Sequence, residues 1–235
     1  MDVRDAIASR YSCRAFLPTP VPIETVKDIL SRAARAPSGG NLQPWLVHVL
    51  AGERLEALKD QLRPRFAKEL PRGEGAEYQV YPRELKDPYY TRRARVGEQL
   101  YASIGIPRED RPARYRQFGR NYLFYDAPVG MFVSVDRIMG APQWSDLGGF
   151  IQTISLLARA HGLHSIAQEA WTSWHKTVSA FLELPPEHIL FCGIALGHAD
   201  EAAPINRWRS EREPVEAFAR FEGFEPSPSL DTVAP

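Results

Sequence analysis

The sequence of 235 residues lacks most features that would commit it to a specialised class. Its two cysteines, Cys13 and Cys192, are far apart and in no metal-ligand spacing, which excludes a disulfide framework. Charge of neither sign is in excess: 29 Lys and Arg stand against 29 Asp and Glu, which removes bulk attraction to nucleic acid or an anionic membrane. No apolar run reaches the roughly 18 residues of a membrane span. The opening "MDVRDAIASR" lacks the apolar centre of a signal peptide. No G-x-G-x-x-G follows a strand pattern, so a Rossmann nucleotide site is absent. Gly162 interrupts any helix that would carry both His161 and His164, and the histidines make no metal site. These absences predict a cytoplasmic, one-domain chain over residues 1–235 with no metal, nucleic acid or membrane as partner.

An apolar content of 44% supports a sizeable core. Asp2 and Asp5 predict a capped short helix leading into Tyr11. Val26, Ile29, Leu30, Ala33 and Ala34 form one helical stripe, stopped by Pro37. "WLVHVLA", "APVGMFVSVD" and "HILFCGIALG" read as strands, and Leu55, Leu58 and Leu62 as a second helical stripe. "SDLGGFIQTISLLARAHG" predicts a helix capped at Ser145 and Asp146, apolar nearly all round and so buried in a core or an oligomer interface. Helices and strands interleave, which makes the class α+β or α/β. Residues 71–120, rich in Pro, Tyr and Arg with one helix around Val96–Ile104, read as a lid or an excursion within the domain. The Pro/Ser-rich tail 225–235 is expected to be disordered.

Two stretches invite a chemical reading. "RYSCRAFLPT" sets Arg10, Ser12 and Arg14 at alternate positions, so extended backbone places two guanidiniums and a hydroxyl on one face. That is a donor set for phosphate, although surface salt-bridging explains it better when it stands alone. "RAPSGGNLQPW" breaks the first long helix and offers the amides of Asn41 and Gln43, suited to a planar heterocycle or to an ordinary helix-to-strand turn.

In order along the chain, R-x-S-x-R, A-P-S-x-x-N-x-Q-P-W, "GLHSIAQEAW" and "GIALGHADEAAPINRWRSEREPVEAF" resemble the signature of the FMN-dependent nitroreductase family. Gly197–His198 stands where the family often has Gly-Pro, and residues 71–120 match no block. The resemblance implies an α+β, nitroreductase-like fold: a central mixed β-sheet flanked by helices, in an intertwined homodimer. It assigns Arg10, Ser12, Arg209 and Arg212 to the FMN phosphate, and Arg14 to the ribityl chain and the N1 edge of the ring. Pro37, Ser38, Asn41 and Gln43 would approach the flavin of the partner subunit, while Gln168, Glu169 and Ala170 would run beside the ring. A guanidinium about 4 Å from the N1 edge would stabilise the reduced ring by about 4 kcal/mol at an effective dielectric near 20. The implied activity is ping-pong transfer of hydride from NADH or NADPH through flavin N5 to nitroaromatic, quinone or similar acceptors, without a catalytic side chain. Flavin destruction, reductive dehalogenation and non-enzymatic flavin binding remain alternatives. The tyrosines and Arg92, Arg93 and Arg95 of the excursion suggest an aromatic acceptor bearing a carboxylate.

Overall fold

The computed structural model describes residues 1–224, so the expectation for the tail 225–235 lies outside the described residues. In chain order the elements are α1 (Val3–Ser9), α2 (Ile23–Ala33), β1 (Leu46–Ala51), α3 (Gly52–Leu62), α4 (Phe66–Glu69), α5 (Tyr89–Ala102) and α6 (Arg111–Gly119), then β2 (Val129–Asp136), α7 (Ala141–Ala160), β3 (His164–Gln168), α8 (His175–Leu182), β4 (His188–Gly197) and α9 (Pro204–Arg207). The strands form one sheet in the order β1-β2-β4-β3. Every neighbouring pair is antiparallel. Among the described residues the sheet is thus antiparallel rather than mixed; the one parallel pairing is an isolated bridge between Ser12 and Ser165, outside the strands, where the N-terminal segment meets the β3 edge.

Alternation along β2 divides the core. Val129, Met131, Val133 and Val135 face one apolar cluster with Val26 and Ile29 of α2 and Leu147, Phe150 and Ile154 of α7. Phe132 faces the other, among Leu55 and Leu58 of α3, Tyr122, Phe124, Trp171 and Trp174. Strands buried on both faces read as continuous apolar runs, which is why β2 and β4 stand out in the sequence. Gly193 is needed here: a Cβ at that position would sit 2.3 Å from Cδ1 of Trp171, whose ring lies against the sheet.

Two expectations change. Helix α7 starts four residues before Ser145, because Pro142 occupies its first turn and the Gln143 side chain accepts from the Gly140 N–H at 3.1 Å. One face of it packs in the core, and within the single chain the other is exposed at Gly148, Gly149 and Gln152. Residues 71–120 hold two helices where one was expected. α6 is capped by Asp110, whose carboxylate accepts from the Ala113 N–H at 2.9 Å. The first part of this segment is fastened to the core. Glu74 accepts from the N–H groups of Lys176 and Thr177 at 3.0 and 3.1 Å, and Glu77 from the Leu190 N–H at 3.1 Å.

Candidate functional site

The chain leaves α1 in extended conformation at Arg10 and meets the β3 edge, where the Cys13 N–H donates to the Ser165 carbonyl at 3.2 Å. Cys13 points into the core with no exposed surface, and burial pushes its thiol up to about 11. Arg10, Ser12 and Arg14 stay half-buried. The C-terminal basic segment is fixed to the same place by Asn206, only 2% exposed. Its Oδ1 accepts from the Arg14 N–H at 2.8 Å, and its Nδ2 donates to the carbonyls of Ala15 at 2.7 Å and Asp200 at 2.9 Å. One buried amide thus joins backbone nearly two hundred residues apart in sequence.

Between the two segments lies a cavity of about 500 Å³, lined by Arg10, Ser12, Arg14, Arg209 and Arg212 among others. All five residues assigned to the phosphate side and its ribityl edge therefore converge. None of the four arginines pairs with a carboxylate among the described residues. The guanidinium of Arg10 is held below its ordinary range by burial and then by the charge of Arg212. A cluster of like charges without an internal counter-ion sets up a positive potential that favours an anion.

The remaining predicted residues lie elsewhere. Pro37, Ser38, Asn41 and Gln43 do not line this cavity. Their loop is held by the Gln43 N–H donating to Ser38 Oγ at 3.0 Å and the Gly39 N–H donating to Asp146 Oδ2 of α7 at 3.1 Å. Gly40, Asn41 and Gln43 have φ of 59°, 56° and 48°, and both amide side chains are exposed. Two non-glycine residues in this region mark a constrained loop. Gln168 ends β3 buried, with Nε2 donating to the Asn121 carbonyl at 2.8 Å, while its Oε1 has no partner among the described residues. Desolvation raises the Glu169 carboxyl, and Ala170 packs on the core.

Sequence reading missed Gln152, Trp208 and Tyr11 in the cavity wall and Asn206 behind it. Only Tyr11 carried a signal, its place inside the R-x-S-x-R stretch. A neighbouring cavity of about 800 Å³ shares Val96, Ser210 and Arg212 with the first. There Arg92 pairs with Glu213 at 2.9 Å and Arg95 with Glu211 at 3.6 Å, while Arg93 lies over the Tyr81 ring at 4.2 Å. Two of the three arginines expected to hold a carboxylate are thus already paired.

Comparison with known proteins identifies the family of the chain. The profile described as Nitroreductase family matches residues 7–198. The chain is 36% identical to a nitrobenzene nitroreductase of Ectopseudomonas oleovorans, across 93% of this chain and 96% of that protein. It is 39% identical to a 4-nitrobenzoate reductase of Nocardioides sp. (strain LMS-CY), across 92% and 89%. The crystal structure of the FMN and NADPH-dependent nitroreductase NfnB from Sphigopyxis sp. strain HMH superposes with a TM-score of 0.91 at 46% identity, covering 95% of this chain and all of the other. The chain belongs to the nitroreductase family.

Proposed function

We propose that this chain is an FMN-dependent NAD(P)H oxidoreductase that reduces nitroaromatic compounds and works as a homodimer. The observation that carries the reading is the cavity between residues 10–14 and 209–212, where guanidiniums and a hydroxyl meet with no internal carboxylate. A phosphate monoester carries about 1.5–2 negative charges at neutral pH, and this donor set fits it. Arg10, Ser12, Arg209 and Arg212 would hold that phosphate. Arg14 would hold the ribityl chain and the N1 edge, its backbone fixed by Asn206. When bound, FMN supplies the centre that accepts hydride and passes it on. Gln168, Glu169 and Ala170 would border the ring, the unpartnered Gln168 Oε1 being available to a ring N–H. No side chain is assigned as an obligatory acid or base.

The homodimer rests on the exposed, conformationally constrained loop at Pro37, Ser38, Asn41 and Gln43. Pro37, Asn41 and Gln43 are exposed, and none of the four lines the cavity of its own chain. They would serve the flavin of the partner. NADPH as co-substrate draws on the named dependence of the NfnB relative, and a nitro group as acceptor draws on the named substrates of the other two.

The test is binding to protein stripped of flavin. FMN is expected to bind at least about 100-fold more tightly than riboflavin, which lacks the phosphate, since charge-assisted bonds contribute about 1.5–3 kcal/mol each. The reloaded protein should oxidise NADPH when nitrobenzene is added. Equal affinity for FMN and riboflavin, or a bound flavin that NADPH and NADH both fail to bleach, would overturn the reading.

A further inference from the structure

Tyr11 sits between Arg10 and Ser12, and its ring is held on two sides. The Arg209 guanidinium carbon lies 3.6 Å from the ring centroid. The His164 ring lies 5.0 Å away, tilted by 54°. The same guanidinium is held locally, its Nη1 donating to the carbonyls of Asn206 and Trp208. His164 is immobilised in turn. Its Nδ1 is 3.1 Å from Arg159 Nη1, which also donates to the Leu163 carbonyl at 2.8 Å. Arginine donates only, so Nδ1 is the acceptor and the imidazole is neutral. Burial, then Arg159, Arg209 and His198, push its pKa down to about 4. A neutral imidazole behind the tyrosine adds no positive charge to a cavity already crowded with it.

We infer that Tyr11 is a positioning residue for phosphate recognition: its ring, backed by His164, holds the Arg209 guanidinium in the cavity by a cation–π contact. The geometry has two parts that carry this. Arg209 makes no ion pair among the described residues, so the ring and two carbonyls are what orient it. A guanidinium over a ring face, with Nη1 spent on the two carbonyls, also keeps its Nε and Nη2 donors free for a ligand at its edge, whereas a carboxylate partner would occupy them. The inference rests on the assignment of the cavity to the FMN phosphate.

The experiment measures FMN and riboflavin affinities of flavin-stripped parent, Tyr11→Phe, Tyr11→Leu, Arg209→Ala and the Tyr11→Leu/Arg209→Ala double variant. Tyr11→Leu is expected to weaken FMN by about 3- to 30-fold, the range for losing a partly desolvated cation–π contact, and to leave riboflavin within about two-fold. Tyr11→Phe keeps the ring and should stay within about two-fold of the parent for both ligands. In the double variant, Tyr11→Leu should add nothing to the loss from Arg209→Ala. Equal losses for FMN and riboflavin, or additive losses in the double variant, would overturn the positioning role. A parent that prefers FMN separates that failure from failure of the phosphate assignment, because a parent binding both flavins alike would refute the assignment itself and the inference with it.

Discussion

Whether residues 71–79 move as a lid can be decided at Glu74. Its side chain is 11% exposed. It accepts from Arg65 Nη1 at 3.1 Å, from Thr177 Oγ1, and from the N–H groups of Lys176 and Thr177 at the start of α8. Burial raises its pKa, but the hydrogen bonds from Thr177 and then Arg65 outweigh it and hold the carboxyl below the ordinary carboxylate range. Removing one partner of a buried pair costs about 3–5 kcal/mol. The lower end applies because Arg65 keeps Glu69, at 2.8 and 2.7 Å, and is not left bare. Glu74→Ala should therefore cost about 3 kcal/mol and lower Tm by about 6–12 °C in a chain of this size. Glu74→Gln retains an acceptor oxygen and should cost about half as much. The stabilisation is present above the ordinary carboxylate pKa and lost as pH falls through the depressed folded value, so the difference between parent and Glu74→Gln should shrink in acid. Scanning calorimetry on flavin-stripped protein measures both. A Tm loss under about 2 °C together with a changed kcat would refute the scaffold role and restore a mobile lid from residue 71 onward.

Three further outcomes are expected. Sedimentation at micromolar concentration should give a dimer, and Asp146→Ala, which frees the loop at Gly39, should weaken both the dimer and flavin retention; a monomer that retains flavin would contradict the assembly. His164 is neutral in the fold with a pKa of about 4 against an ordinary 6.5, so its contribution is complete above 6.5 and lost as pH falls toward 4. That amounts to about 3 kcal/mol, a slope that His164→Gln should abolish in Tm measured against pH. With Arg92 and Arg95 already paired to glutamates, kcat/KM for 4-nitrobenzoate should exceed that for nitrobenzene by less than about five-fold, because exposed pairs contribute only about 0.2–1 kcal/mol. A larger, salt-sensitive preference abolished by Arg93→Ala would show an acceptor carboxylate site in the excursion.

What the sequence made legible followed from short-range rules. The α2 stripe, the buried strands β2 and β4 and the R-x-S-x-R face are set by periodicity and alternation, which depend on neighbours within a few residues. The start of α7 was misjudged because Ser145 and Asp146 look like caps, whereas the backbone N–H groups that needed partners belonged to a turn opened by Pro142. Asp146 is used instead on Gly39, more than a hundred residues away. Asn206 was invisible for the same reason. Nothing local distinguishes it from any polar residue of a basic tail, and its role exists only once residues 14, 15 and 200 are beside it. The fastening of residues 71–79 likewise depends on Glu74 and Glu77 meeting N–H groups of α8 and β4, contacts with no sequence spacing to announce them.

The cationic cavity also explains why ligand and fold should be thermodynamically linked. Arg10 and Arg212 repel one another and share no carboxylate, so the empty cavity carries an electrostatic cost that an anion removes. In parent protein at about 100 times the Kd, FMN should add about 2.7 kcal/mol and raise Tm by about 5–11 °C. Arg212→Gln removes one charge-assisted contact and should weaken FMN by about 10- to 150-fold, leaving an increment of about 0.3–1.4 kcal/mol, or about 1–6 °C, at the same FMN concentration. Without FMN the same variant should be no less stable than the parent, because it also removes a repulsion. The two thermal scans should thus separate with ligand and coincide without it. A flavin-free variant clearly less stable than its parent would mean that Arg212 holds the C-terminal segment in place, and that the cavity is a by-product of packing rather than a built anion site.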